Sequence, residues 1–299
     1  MRTTGLAENG RLLSLLGLGA LGYSLSLAAV YYSTVHTVDG RLLSDTSLRG
    51  ALSTSEVVGA VDAVLNVVSI ASLLGAVAAV ALIALIRLVR IQGLAAIGVL
   101  VSANVSALLL KDYLLSRPDL GLHEIAPATL NSLPSGHSTA AFSAVAALLL
   151  VAPSRWRLAV ATVGGAYVAV TGTATMLAGW HRAADSIAAF LLVGFWTTVA
   201  AAVVLVYLPS ESSTATDAAT PRSVRWLAAT TVGCLSMGAA IAVTLVLSAP
   251  VRDSIVGPWV AFLSAALLIT GTVVGVVIGI LRVLDAVDSA DVPPWPLPE

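Results

Sequence analysis

At 299 residues, 58% hydrophobic and only 10% charged, the chain lacks the roughly one-quarter charged content with which a soluble domain stays solvated. Its mean hydropathy of +0.96 makes lipid its solvent. A net charge of −1 excludes the basic excess a nucleic-acid partner requires, and the single cysteine, Cys234, excludes an internal disulfide and a thiolate metal cluster.

The spans are legible as gaps between charges. No Asp, Glu, Lys or Arg falls between Arg11 and Asp39, Asp62 and Arg87, Arg90 and Lys111, or Glu124 and Arg155. The same holds between Arg157 and Arg182, Asp185 and Glu211, Arg225 and Arg252, and Asp253 and Arg282. Each gap holds an apolar run near the roughly 20 residues that a helix needs to cross a bilayer. The runs are continuous, without period-two alternation, so they predict eight helices rather than barrel strands. The first run, residues 12–32, exceeds the roughly 7–15 apolar residues of a cleavable signal and reads as a retained span.

The fold class expected is therefore all-α, a polytopic membrane bundle. Residues 1–208 form a six-helix core. Residues 209–223, PSESSTATDAATPRS, form a polar inner linker, residues 224–284 an additional helix pair, and residues 285–299 a Pro-rich tail. With the N-terminus inside, nine basic residues fall on inner segments and six on outer ones, which predicts both termini on the cytoplasmic side. Fourteen Arg against one Lys point to a GC-rich genome and so to a bacterial plasma membrane.

Three polar clusters fall at ends of spans expected on the outer face. KDYLLSRP, residues 111–118, closes the third span. PSGH, residues 134–137, opens the fourth, and GWHRAAD, residues 179–185, opens the sixth. Polar groups are expensive at a membrane, so their gathering on one face reads as a site. Lys111 and Arg117 supply cations, and the guanidinium fork matches phosphate oxygens. A helix entered through Pro134, Ser135 and Gly136 offers orphan N–H donors to an anion. His181 and Asp185, four apart, are expected on one helical face, with the carboxylate holding one ring nitrogen and leaving the other nucleophilic. His137, at the anion-binding helix start, suits a general acid. Nothing in this set calls for a metal, because the cations and N–H groups stabilise the charge.

The constellation resembles the type 2 phosphatidic acid phosphatase superfamily, which also includes soluble vanadium-dependent haloperoxidases. That family carries a K-x6-R-P segment, then P-S-G-H, then S-R-x5-H-x3-D. Pro134, Ser135, Gly136 and His137 match the second segment in full. His181 and Asp185 match the end of the third, and Lys111, Arg117 and Pro118 match the first with one residue fewer between Lys and Arg. The resemblance extends over the first six spans. It implies His181 as nucleophile, His137 as acid, Asp185 as its partner, and Lys111, Arg117, Ser135 and Gly136 as phosphate binders. Ala174 and Thr175 stand where the family has Ser and Arg, and Arg182 is expected to supply the missing charge.

The function expected is hydrolysis of a lipid phosphate or pyrophosphate such as phosphatidate, phosphatidylglycerol phosphate or a polyprenyl phosphate. Membrane lipids are then its surroundings, and no nucleic acid is a partner. A reading of another class is a transporter or catalytically silent lipid-phosphate binder using the same anionic pocket. Of the remaining polar residues, His36, His123 and Glu124 read as loop residues, Trp180 as an interfacial anchor, and Gly164, Gly165 and Gly172 as helix-packing positions. Asp112 and Asp119 read as partners of nearby cations or as water-facing.

Overall fold

A computed structural model describes residues 2–53, 58–123, 131–207 and 222–289. Every regular element among them is helical. Long apolar runs can satisfy their backbone groups in lipid only within a helix or a closed barrel, and the continuous pattern selects the helix.

The N-terminal helix α1 (Arg2–Val35) is followed by a short helix α2 (Val38–Leu52). Helices α3 (Val58–Val67) and α4 (Ile70–Ile86) form an apolar pair bent by 51°, a broken span or a re-entrant loop. At the break Ser69 caps α4 in a reciprocal box with Ser72, so a new helix starts cleanly there. Next come α5 (Arg90–Leu109), α6 (Gly136–Val151), α7 (Ser154–Leu177) and α8 (Ala183–Tyr207). The chain closes with α9 (Arg222–Leu247), a one-turn α10 (Ala249–Arg252) and α11 (Gly257–Ser289).

Among the described residues six helices are long and apolar enough to cross a membrane, and the bent α3–α4 pair would make a seventh if it crosses as one span. The remaining charge-free gap, between Glu124 and Arg155, holds α6, which has only 16 residues. At 1.5 Å per residue it covers about 24 Å, less than the roughly 30 Å hydrocarbon layer.

Helix α8 is the most enclosed of the six long spans and packs against α1, α5, α6 and α11. Helix α11 also lies along α7 and α9, so the C-terminal pair is fastened to the bundle rather than standing apart. Small residues permit these approaches. A Cβ on Gly172 would stand 3.0 Å from Phe190 and 3.2 Å from Ile269.

Three expectations change. Helix α2 lies where only an outer loop was expected. Thr37 caps it, and it buries Arg41, Asp45 and Leu48, a polar-rich face without the hydropathy of a span. The last helix runs to Ser289, past the tail boundary at Asp285, because the first helix-breaking proline comes only at Pro293. Arg222 and Ser223, assigned to the linker, already open α9. Linker residues 209–221 and tail residues 290–299 lie outside the described residues, as does Glu124.

Helix α2 docks on α11 through Gly50, where a Cβ would stand 2.0 Å from the Pro258 carbonyl oxygen. Gly50→Ala is expected to push the two helices apart and lower stability by about 1–3 kcal/mol. Gly233→Ala, at a position with nothing within 4 Å, serves as the neutral comparison. Thermal unfolding in detergent measures both.

Candidate functional site

Helix α5 does not run through the first cluster. It loosens into a π turn, Leu110–Leu114, where Leu115 N–H donates to the Leu110 carbonyl at 2.8 Å, and at Leu115 the backbone is extended. Lys111 thus sits in a widened turn, while Arg117 lies beyond the helix, before Pro118. The shortened Lys-to-Arg spacing consequently does not rotate Arg117 around a helix. Lys111 is half-buried, its Nζ 3.7 Å from Asp112 Oδ1, and Asp119 accepts from Gly121 N–H in a turn of its own.

The extended segment is pinned from several sides. Tyr31 Oη donates to the Ser116 carbonyl at 2.7 Å and accepts from its N–H at 3.0 Å. The buried Arg41 donates to the carbonyls of Val35 and Pro118. Asn131 Nδ2 donates to the carbonyls of Lys111 and Leu115, both at 3.0 Å, satisfying acceptors that the helix end leaves open.

The second cluster forms the entry to α6. Ser135 is the N-cap, fully buried, and its Oγ accepts from Ser138 N–H at 3.3 Å. Its own N–H donates to the Asp185 carbonyl at 2.9 Å, which joins this entry to the first turn of α8. The Leu133–Pro134 bond is cis. A Cβ on Gly136 would meet nothing within 4 Å, so space is open in front of the helix start.

In the third cluster α7 ends, and Gly179 at φ +73° turns the chain. The N–H groups of Trp180 and His181 both donate to the Thr175 carbonyl, at 3.0 and 3.2 Å. Asp185 is buried, and its Oδ2 accepts from His181 Nδ1 at 3.2 Å, from Ser132 Oγ at 2.6 Å and from Arg182 N–H at 2.9 Å. The His181–Asp185 pair is present but for a reason other than the one expected. Helix α8 begins at Ala183, so His181 precedes it and the two do not share a helical face. Asp185 is the third helical residue and reaches back to the N–H of Arg182, half of a capping box, and that turn carries His181 to the same oxygen.

His137 lies within electrostatic reach of His181, and its ring centroid is 5.3 Å from that of Trp180. Trp180 thus covers an imidazole as well as meeting the surroundings. Arg182 is only 2% exposed and so is not a solvated loop charge. Thr175 is fully buried and donates to the Gly172 carbonyl at 2.8 Å. Below the PSGH entry, Ser138 donates to Ser186 at 2.9 Å, with Thr175 3.4 Å from Ser186.

Sequence reasoning missed Tyr31, Arg41, Asn131 and Ser132, whose bonds to distant backbone or to Asp185 follow no periodicity. The Ser132 position, just ahead of PSGH, was the one available signal. His36 packs against the rings of Tyr31 and Tyr32. His123 borders a separate 310 Å³ cavity with Arg41, Arg49 and Arg252. Cys234 is half-buried and free. Among the described residues no three His, Cys, Asp or Glu gather into a metal-binding group.

No curated protein and no solved structure matches the chain. The family model of the PAP2 superfamily matches residues 92–208. That segment runs from the first turn of α5 to the end of α8 and holds all three clusters, whereas α1–α4 and the C-terminal helices lie outside it. The PAP2 superfamily is thus what residues 92–208 of the chain are similar to, and it is the family that its motifs resemble.

Proposed function

We propose that this protein is a membrane phosphatase that hydrolyses a lipid phosphate or pyrophosphate through a phosphohistidine on His181. The match of residues 92–208 to the model of a superfamily of phosphatases supports a phosphoesterase. The observation that carries the finer reading is the His181 Nδ1–Asp185 Oδ2 contact of 3.2 Å, beside His137 at an open helix N-terminus. With Nδ1 held by the carboxylate, the lone pair of Nε2 is available for attack.

In the first step Nε2 of His181 forms a bond to phosphorus, the bond from phosphorus to the lipid oxygen breaks, and His137 gives that oxygen its proton. In the second, water attacks phosphorus and the phosphorus–nitrogen bond breaks, with His137 accepting the proton of the water. Inorganic phosphate leaves. Lys111, Arg117, the Ser135 hydroxyl, the backbone N–H of Gly136 and Arg182 are assigned to the phosphoryl oxygens. The basic-residue bias supports a site on the outer face with both termini cytoplasmic. Phosphatidate, phosphatidylglycerol phosphate and polyprenyl phosphates are the substrate candidates, all with chains that remain in the bilayer.

The test is release of inorganic phosphate from purified lipid phosphates by the protein in detergent, with chelator present and with vanadate as inhibitor. Vanadate adopts the trigonal-bipyramidal shape of the transferring phosphoryl group, so it should block turnover. Lipid-phosphate binding without release would instead favour the silent binder or transporter. That second reading draws on Thr175, a buried hydroxyl in the family's arginine position.

Arg182 is assigned to make up that loss. Arg182→Ala is expected to lower kcat/KM about tenfold to a hundredfold, the worth of a hydrogen bond to a charged group. Arg182→Lys, which keeps the charge, should retain more. Near wild-type turnover in Arg182→Ala would remove this residue from the site.

A further inference from the structure

Two adjacent residues ahead of the PSGH entry, Asn131 and Ser132, each reach a different part of the site. Asn131 Nδ2 holds the carbonyls of Lys111 and Leu115 at either end of the turn that precedes Arg117. Ser132 Oγ donates at 2.6 Å to Asp185 Oδ2, the oxygen that also meets His181. The other two donors to that oxygen, His181 and Arg182, lie within four residues of Asp185, whereas Ser132 arrives from 53 residues away. Between the two polar arms and the helix, Leu133 is buried with Val35, Ala184, Ala188 and Leu115. An apolar pin thus fixes the dipeptide beneath its two hydrogen-bonding arms.

We infer that Asn131 and Ser132 act together as a positioning clamp that sets the phosphate-binding segment 111–117 against the Asp185–His181 pair. The inference rests on the proposed phosphatase reading and adds two residues to it that touch neither phosphorus nor leaving group. The physical reason lies in what each bond constrains. A carboxylate can turn about its Cβ–Cγ bond, and a short hydrogen bond from Ser132 holds Oδ2 where His181 Nδ1 needs it. That fixes the imidazole's tautomer and aim. Asn131 holds backbone rather than charge, so its effect falls on where Lys111 and Arg117 stand when a phosphate binds.

The two arms should therefore separate in kinetics. In phosphate release from a lipid phosphate in detergent, Ser132→Ala is expected to lower kcat about tenfold to a hundredfold while KM stays within about twofold. Ser132→Thr, which keeps the hydroxyl, should recover most of the loss. Asn131→Ala should raise KM about tenfold and move kcat less. Thermal unfolding of each variant identifies any that have lost the fold, and the other arm then carries the test.

Wild-type kcat in Ser132→Ala, or equal losses of kcat and KM in both arms, would overturn the clamp. Wild-type protein that releases no phosphate from any lipid phosphate would instead overturn the phosphatase reading. An active wild type silenced by His181→Ala keeps that reading intact whatever the clamp variants do.

Discussion

Replacing His181 with alanine is expected to reduce phosphate release by about four orders of magnitude or more while leaving the bundle folded. Loss of a nucleophile removes the covalent route entirely, and what survives is the positioning and charge stabilisation of the remaining groups. The fold should tolerate the change, because the hydrogen bond lost with the side chain is the one from Nδ1 to Asp185 Oδ2 at 3.2 Å. The backbone N–H of residue 181 keeps its bond to Thr175. Binding should survive better than turnover, since Lys111, Arg117 and the α6 N-terminus are untouched. The measurement is kcat with a saturating lipid phosphate, alongside the thermal midpoint. A fall of less than about a hundredfold would mean that His181 does not form the intermediate.

Asp185→Asn is expected to lower kcat by about three to four orders of magnitude, nearly as much, by a different route. The carboxylate is only an acceptor, so its partner nitrogen on His181 carries the hydrogen and Nε2 keeps its lone pair. An amide in the same place can turn its NH₂ toward Nδ1, which makes Nε2 the protonated nitrogen and removes the nucleophile. The amide also loses the negative charge that steadies the ring as it becomes cationic. Because Asp185 Oδ2 additionally accepts from Ser132 and from the N–H of Arg182, the substitution weakens the start of α8 and should lower the thermal midpoint. His181→Ala alone should not. The double variant is expected to be no slower than His181→Ala, since the two residues act as one unit.

What the sequence disclosed and what it concealed divide along physical lines. The spans were readable because charge is excluded from hydrocarbon, and all eight charge-free gaps contain a helix or, for α3 and α4, a bent pair. The clusters were readable because polar groups at helix ends are few in such a chain. Helix α2 escaped notice because it buries Arg41 and Asp45, giving neither a span's hydropathy nor a clean apolar stripe. The π turn after α5 has no compositional mark, yet it decides that Arg117 lies off the helix.

Spacing gave the right pair at His181 and Asp185 for the wrong reason. A four-residue interval suits a helical face, but here the contact comes from an N-terminal capping turn. Arg182 illustrates the same limit, since no local pattern distinguishes a loop charge from a buried guanidinium. Trp180 was legible as an aromatic near an interface, but its contact with His137 depends on how α6 and the α7–α8 turn meet. Contacts between distant segments, such as Ser132 with Asp185 or Tyr31 with Ser116, leave no trace in periodicity.

The account stands on phosphorus being carried by one particular imidazole. Rapid mixing with a lipid phosphate labelled at phosphorus, quenched in base before turnover completes, followed by mapping of the labelled peptide, tests this directly. The account predicts label on His181 that resists base, is released by acid, and is absent from His181→Ala. Label on another residue, or undiminished turnover in His181→Ala, would contradict it.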